Sequence, residues 1–171
     1  MKKTVLSLLI GLLVLSGCAK ATYDKEDLDK AILAIKEVYG ENYYPSMTMD
    51  AALLEEIVKV KAEDVVEFYA EGPMMSNQVD TLIVIVAKKD KIEDVKKALE
   101  DYKYYLEHDA FNYPMNMPKV SASQVIVKGN IVAFVLLGKY DERTEGSEAE
   151  YASYAQAQVQ LGVDALLEAL K

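Results

Sequence analysis

The sequence predicts an α+β fold: a four-stranded, mainly antiparallel sheet in two hairpins, with helices packed on it in the order ααββαββα. Three observations carry this. Val65–Glu71 and Leu82–Ala87 are strand-like runs separated by a Gly-Pro turn and a short polar loop. Gln124–Val127 and Ile131–Leu137 repeat the arrangement around Lys128-Gly129-Asn130, where glycine suits a tight primed turn. Between the pairs, Ile92, Val95, Leu99, Tyr102 and Leu106 recur at steps of three and four, the period of a helix with one buried face.

The elements follow in chain order. Asp24 can cap a first helix whose apolar stripe is Leu28, Ala31, Ile32, Ile35 and Val38, with Gly40 ending it. Residues 41–46 are a loop by composition, and Asp50 caps a short helix over 51–58. In the first strand, Val66, Phe68 and Ala70 alternate with Val65, Glu67, Tyr69 and Glu71, which predicts one face in a core. Leu82–Ala87 is apolar on both faces and rich in β-branched residues, so it is a central, doubly covered strand; Ile131–Leu137 has the same character. Asp90 and Glu93 have capping-box spacing for the middle helix, which runs to about His108. Pro114 and Pro118 make 110–119 a structured loop, and 139–146 is a polar connector. Ser147 can cap a last, alanine-rich helix over 147–171, with Tyr151, Ala155, Val159, Val163, Leu166 and Leu170 as its stripe. These packing residues are small, so the helix either docks loosely or serves a partner.

The N-terminus predicts where the protein works. Lys2 and Lys3 precede an apolar run over 5–15, too short for the ~20 residues of a membrane span. Leu15-Ser16-Gly17-Cys18 follows and resembles the lipobox of bacterial lipoproteins. That resemblance implies cleavage after residue 17, a diacylglycerol on the Cys18 thiol, and a short tether over 18–23. The expected location is the extracytoplasmic face of the cell membrane, held through a lipid anchor. The alternative is an ordinary secretory signal followed by a coincidental cysteine.

Composition narrows the chemistry. Without Lys2 and Lys3 the chain carries 17 basic against 28 acidic residues, a formal charge of −11, which repels nucleic acid and anionic polymers. Cys18 is the single cysteine, so once acylated it leaves no thiol for a disulfide, a metal or a nucleophile. Phosphate-binding glycine loops and zinc spacings are absent, and no cofactor or metal is expected. The 141–152 stretch places glycine sixth, as a calcium loop would, but Arg143 and Ala152 stand where ligands are required.

Several phrases together resemble the bacterial extracytoplasmic lipoprotein family catalogued as domain of unknown function 4358. They are Tyr39-Gly40-Glu41-Asn42-Tyr43-Tyr44-Pro45, Ala70-Glu71-Gly72-Pro73-Met74-Met75-Ser76, the Asp80 strand with its lysine-rich helix, Tyr113-Pro114-Met115-Asn116 and the Gly129 hairpin. The resemblance implies a domain boundary, with the domain over 24–138 and the last helix outside it, and an extracytoplasmic location. It brings no catalytic residue and no ligand.

The candidate binding surface is therefore argued from the residues: Tyr43, Tyr44, Met74, Met75, Ser76, Asp80 and Tyr113. Methionines adapt to varied apolar partners, and loop tyrosines offer a flat apolar face with a polar tip. The competing account makes Met74 and Met75 a plug on the core, Asp80 a turn residue bonded to local amides, and the tyrosines core-edge residues. A hydrolase would need His108 beside Ser76, Ser121 or Ser123, yet no nucleophile-elbow motif is present and a histidine at a helix end has an ordinary dipole role. The first reading is a non-enzymatic binding or accessory module for an envelope protein, peptide or glycan. The alternatives are a small envelope hydrolase and a solute-binding lipoprotein.

Overall fold

A computed structural model describes residues 21–171. The expected signal segment over 1–17 and Cys18 lie outside the described residues. Helix α1 (Lys25–Tyr39) is followed by strand β1 (Met47–Thr48), then by α2 (Ala51–Leu53), which passes into a π-helical turn at Leu54–Val58. Strands β2 (Val65–Gly72) and β3 (Thr81–Ala87), helices α3 (Ile92–His108) and α4 (Met117–Ala122), strands β4 (Gln124–Lys128) and β5 (Ile131–Leu136), and helix α5 (Glu148–Ala169) complete it. The sheet has five strands in the order β1-β2-β3-β5-β4, each pair antiparallel.

The α+β class and both hairpins stand, but two elements correct the predicted order. The first is β1, which pairs Met47 with Gly72 and Thr48 with Glu71 in a stretch too short to show any period. The second is α4, in and beyond the segment expected to be a loop. Pro118 sits in its first turn, where a missing amide costs no intrahelical bond. The capping box expected at Asp90 is also absent: Lys91 is the N-cap and caps with no side chain. A turn closed by Lys91 N donating to Lys88 O occupies that corner instead.

β3 and β5 lie side by side at the centre and are buried on both faces. Leu82, Val84, Val86, Ile131, Ala133 and Val135 face α1 and α5. Ile83, Ile85, Val132, Phe134 and Leu136 face α3 and the turn after α2. Each Val, Leu, Ile or Phe among them taken fully from water contributes about 1.5–3 kcal/mol, which makes the doubly apolar strands the centre of the fold. In β2 the expected alternation is broken by a bulge between Val65 and Glu67. Val65 thereby joins Phe68 and Ala70 on the α3 side, and Val66 is left exposed. In α1, Val38 is likewise exposed, and Tyr39 takes the buried place.

Helix α5 docks in the core rather than loosely. Ala155, Val159, Val163, Leu166 and Leu170 are buried against α1 and the sheet. At Gly162 a Cβ would come 2.7 Å from the Tyr39 hydroxyl oxygen, so only glycine allows the two helices to approach this closely. Tyr39 Oη in turn donates to Gln158 O at 2.8 Å and accepts from Gly162 N at 3.0 Å. The small packing residues therefore serve intimacy between helices.

Gly129, in the β4–β5 turn, has φ +59°, and a Cβ there would lie 2.2 Å from Ala21 O. Gly129→Ala is expected to lose about 1–2 kcal/mol from the left-handed conformation alone, and to push residues 21–23 off the turn. Its urea midpoint, compared with the parent's, reads the loss; an unchanged midpoint would contradict the contact.

Candidate functional site

Four segments meet at one end of the sheet: residues 43–46, the 73–80 loop, the 113–119 segment leading through α4, and the 138–146 connector after β5. Ser46 N donates to Gly72 O at 3.1 Å, which ties the tyrosine loop to the end of β2. Asn116 Nδ2 donates to Asn77 O at 3.1 Å, which ties the methionine loop to the Tyr113 segment.

Beneath these loops lies a buried ion pair. Lys119 Nζ donates to Asp80 Oδ1 at 2.7 Å and to Oδ2 at 2.8 Å. Asp80 is 0% exposed and Lys119 3%. Tyr140 Oη donates to Asp80 Oδ2 at 3.3 Å, and its ring centroid is 3.8 Å from Lys119 Nζ. Tyr44 packs on the same group, 5.8 Å from the ammonium and 6.3 Å from the Tyr140 ring. Burial pushes the Asp80 carboxyl up and the Lys119 ammonium down from their ordinary values, each against the attraction of its partner. Burial also raises the Tyr140 hydroxyl, with the Asp80 charge adding to it, so that hydroxyl remains a donor.

The candidate residues separate accordingly. Met74 and Met75 are 69% and 55% exposed, and Ser76 is exposed beside them. Tyr113 is exposed on the neighbouring segment together with Phe111 and Met115, its ring edge-on to Phe111 at 5.4 Å. Met74, Met75, Ser76 and Tyr113 therefore share one end of the molecule. Asp80 does not belong to that surface; it is the floor under it, bonded to a lysine rather than to turn amides. Tyr44 leans inward on Lys119. Tyr43 turns toward α1, donating to Glu71 Oε2 at 2.9 Å with Lys36 Nζ 5.0 Å from its ring centroid. Lys119 and Tyr140 were missed by the sequence reading. The available signal was Asp80 itself, a carboxylate joined directly to an apolar strand.

Beside the ion pair, α4, the connector and the start of α5 enclose a cleft of about 320 Å³. Pro114, Met115 and Pro118 line one side, and Tyr140, Tyr151 and Tyr154 the other. Arg143 lies 5.6 and 6.0 Å from the Tyr151 and Tyr154 ring centroids, and is ion-paired to Asp141. His108 sits elsewhere, exposed at the end of α3 with its ring 4.3 Å from Tyr104. Ser123 Oγ is engaged in donating to Val120 O. Among the described residues, no group of three or more His, Cys, Asp or Glu side chains is gathered as a metal site, and no helix is long and apolar enough to cross a membrane.

An antiparallel sheet covered on both faces by helices, with an aromatic-capped ion pair beneath its loop end, defines a small α+β domain. The chain belongs to the family described as domain of unknown function 4358 (DUF4358), whose model matches residues 38–137. No curated protein and no solved structure matches the chain. The matched segment begins at Val38 and ends just past β5, so it holds the whole sheet, α3 and α4 but leaves out nearly all of α1 and all of α5.

Proposed function

We propose that this protein is a lipid-anchored extracytoplasmic module that binds another envelope protein through its loop end. The observation that carries this reading is placement. Tyr23, where the chain enters the fold, bonds to Asn130 in the β4–β5 turn, at the end of the sheet opposite Met74, Met75, Phe111, Tyr113 and Met115. A chain held at Cys18 presents those exposed apolar side chains away from its anchor, where a partner can reach them. The buried Lys119–Asp80 pair gives the loops a rigid base, which lowers the ordering cost of binding.

The test is residue-specific crosslinking in native membranes. With the parent, a defined envelope protein crosslinks at the 73–77 loop; with Met74→Asp, Met75→Asp the yield falls at least several-fold. Both side chains are exposed, so the fold changes by about 0.5 kcal/mol or less. Equal yields from parent and variant would sink the reading.

The cleft supports a second reading, capture of a glycan or small solute between the Tyr140, Tyr151 and Tyr154 side chains and the prolines. Loss of ligand binding in Tyr154→Ala, with the methionine variant unaffected, would select it. A hydrolase is the third reading and has the least support, since the described hydrogen bonds join His108 to no serine.

A further inference from the structure

The chain's entry is clamped. Tyr23 N donates to Asn130 Oδ1 at 2.6 Å, Asn130 Nδ2 donates to Tyr23 O at 2.9 Å, and Tyr23 Oη donates to Leu170 O at 2.7 Å. Asn130 O accepts from Ala87 N at 2.8 Å, and the next residue, Lys88, donates its amide to Asp64 O at 2.9 Å. The turns at 61–64, 88–91 and 128–130 are thereby gathered beside residues 21–23. Lys61, Lys88 and Lys89 are exposed on them and Lys128 is half-exposed. The carboxylates on and next to them are Glu63, Asp90, Glu93 and Asp94, which are exposed, and Asp64, which is buried. Lys91 Nζ lies 3.0 Å from Asp94 and 3.5 Å from Asp64, so Asp64 and Asp94 are already paired. At the adjoining start of α1, Asp24 and Asp27 bond each other's amides and Glu26 pairs with Lys30. The opposite end is different. Segments 41–46, 73–80, 107–119 and 138–150 hold nine carboxylates against three lysine and arginine side chains.

We infer that the turns at 61–64, 88–91 and 128–130 form a foot that rests on anionic lipid headgroups and holds the acidic loop end away from the membrane. The inference builds on the anchoring at Cys18 proposed above. Ala21 is three residue steps from Cys18, a reach of at most about 11 Å. That is close to the Debye length of about 10 Å at moderate ionic strength, so the foot's lysines lie where the field of an anionic surface still acts. The carboxylates of the other end stand beyond that field while the domain is upright and enter it only when the domain tips toward the surface, so tipping is opposed. Because residues 21–23 are bonded to the turn itself, the domain stands in one orientation instead of swinging on a free tether. Of the formal charge of −11 that argues against contact with an anionic surface, the nine carboxylates and three cations of the loop-end segments account for −6.

The experiment uses the full, lipidated chain in phosphatidylcholine vesicles with and without phosphatidylglycerol. A membrane-impermeant amine reagent is applied and its incorporation read lysine by lysine by mass spectrometry. Lys61, Lys88, Lys89 and Lys128 are expected to label several-fold more slowly when phosphatidylglycerol is present, and Lys139, at the far end, at an unchanged rate. High salt should restore their labelling. In Lys88→Glu, Lys89→Glu, Lys128→Glu, whose changes are on solvent-facing turns, the phosphatidylglycerol-dependent protection of Lys61 should vanish. A vesicle-bound, lipidated chain whose labelling ignores lipid charge overturns the foot alone. A chain whose Cys18 carries no diacylglycerol mass overturns the anchor and the foot together.

Discussion

Lys119→Met is expected to lower the stability of the fold by about 3–5 kcal/mol, because it leaves the Asp80 carboxylate buried without its cation. Asp80 is 0% exposed, and the remaining donor to it is the Tyr140 hydroxyl at 3.3 Å. Burial already raises the Asp80 pKa, and Lys119 is the strongest influence holding it down, so its removal raises that pKa further. The sign of the pH effect follows. With the folded-state pKa above the unfolded one, the folded chain binds the extra proton and stability falls as pH rises through that window. The variant's deficit relative to the parent should therefore shrink as the solution is acidified below neutrality. Urea unfolding of both proteins at neutral and at mildly acidic pH measures it; a deficit that widened in acid would contradict the assignment.

The companion substitution separates stability from specificity. Burial works against both charges of the pair, so replacing both by apolar side chains of similar size is expected to recover most of the loss. Asp80→Leu with Lys119→Met is that double variant. If it folds as stably as the parent, the pair is not what makes the fold stable. Its remaining role is to place α4 against the 73–80 loop and to seat Tyr44 and Tyr140. The crosslinking at Met74 and Met75 would then weaken in the double variant although the fold survives.

What the sequence made legible is what local patterning encodes. β3 and β5 could be placed at the centre because a strand buried on both faces shows apolar residues at every position. α3 and α5 could be placed because their stripes recur at helical spacing. β1 could not, since two residues have no period and its pairing with Gly72 and Glu71 is a tertiary event. The bulge that ejects Val66 left the alternation of β2 intact in sequence while changing which residues face inward. The ion pair was hidden for another reason: Asp80 and Lys119 are 39 positions apart, and each belongs to a residue type that is ordinarily solvated. Tyr140 lay in a connector rich in charge and was passed over with it. Of the surface, Met74, Met75, Ser76 and Tyr113 could be named from loop chemistry, but that they share one end of the molecule is set by the β2–β3 and α3–α4 connections, joined by Asn116 and Asn77.

The family's matched segment, residues 38–137, is expected not to fold when made alone, whereas residues 21–171 give a single cooperative unfolding transition. The reason is the layer it omits. Leu82, Val84, Val86, Ile131, Ala133 and Val135 are each at most 1% exposed in the whole chain, and their cover is α1 and α5. Cutting at 38 and 137 removes Leu28, Ala31, Ile32 and Ile35 from one side and Val159, Val163 and Leu166 from the other. That strips one whole face of the sheet. A naked apolar face on the two central strands also invites pairing and aggregation between copies. Restoring α1 alone, as residues 21–137, should fail for the same reason, because Tyr39 and its neighbours would lose the α5 surface built around Gly162. Thermal and urea unfolding of the three chains decides it. A cooperative transition in either shortened chain would mean that α5 is an accessory to the fold, free to engage a partner, instead of half of one core.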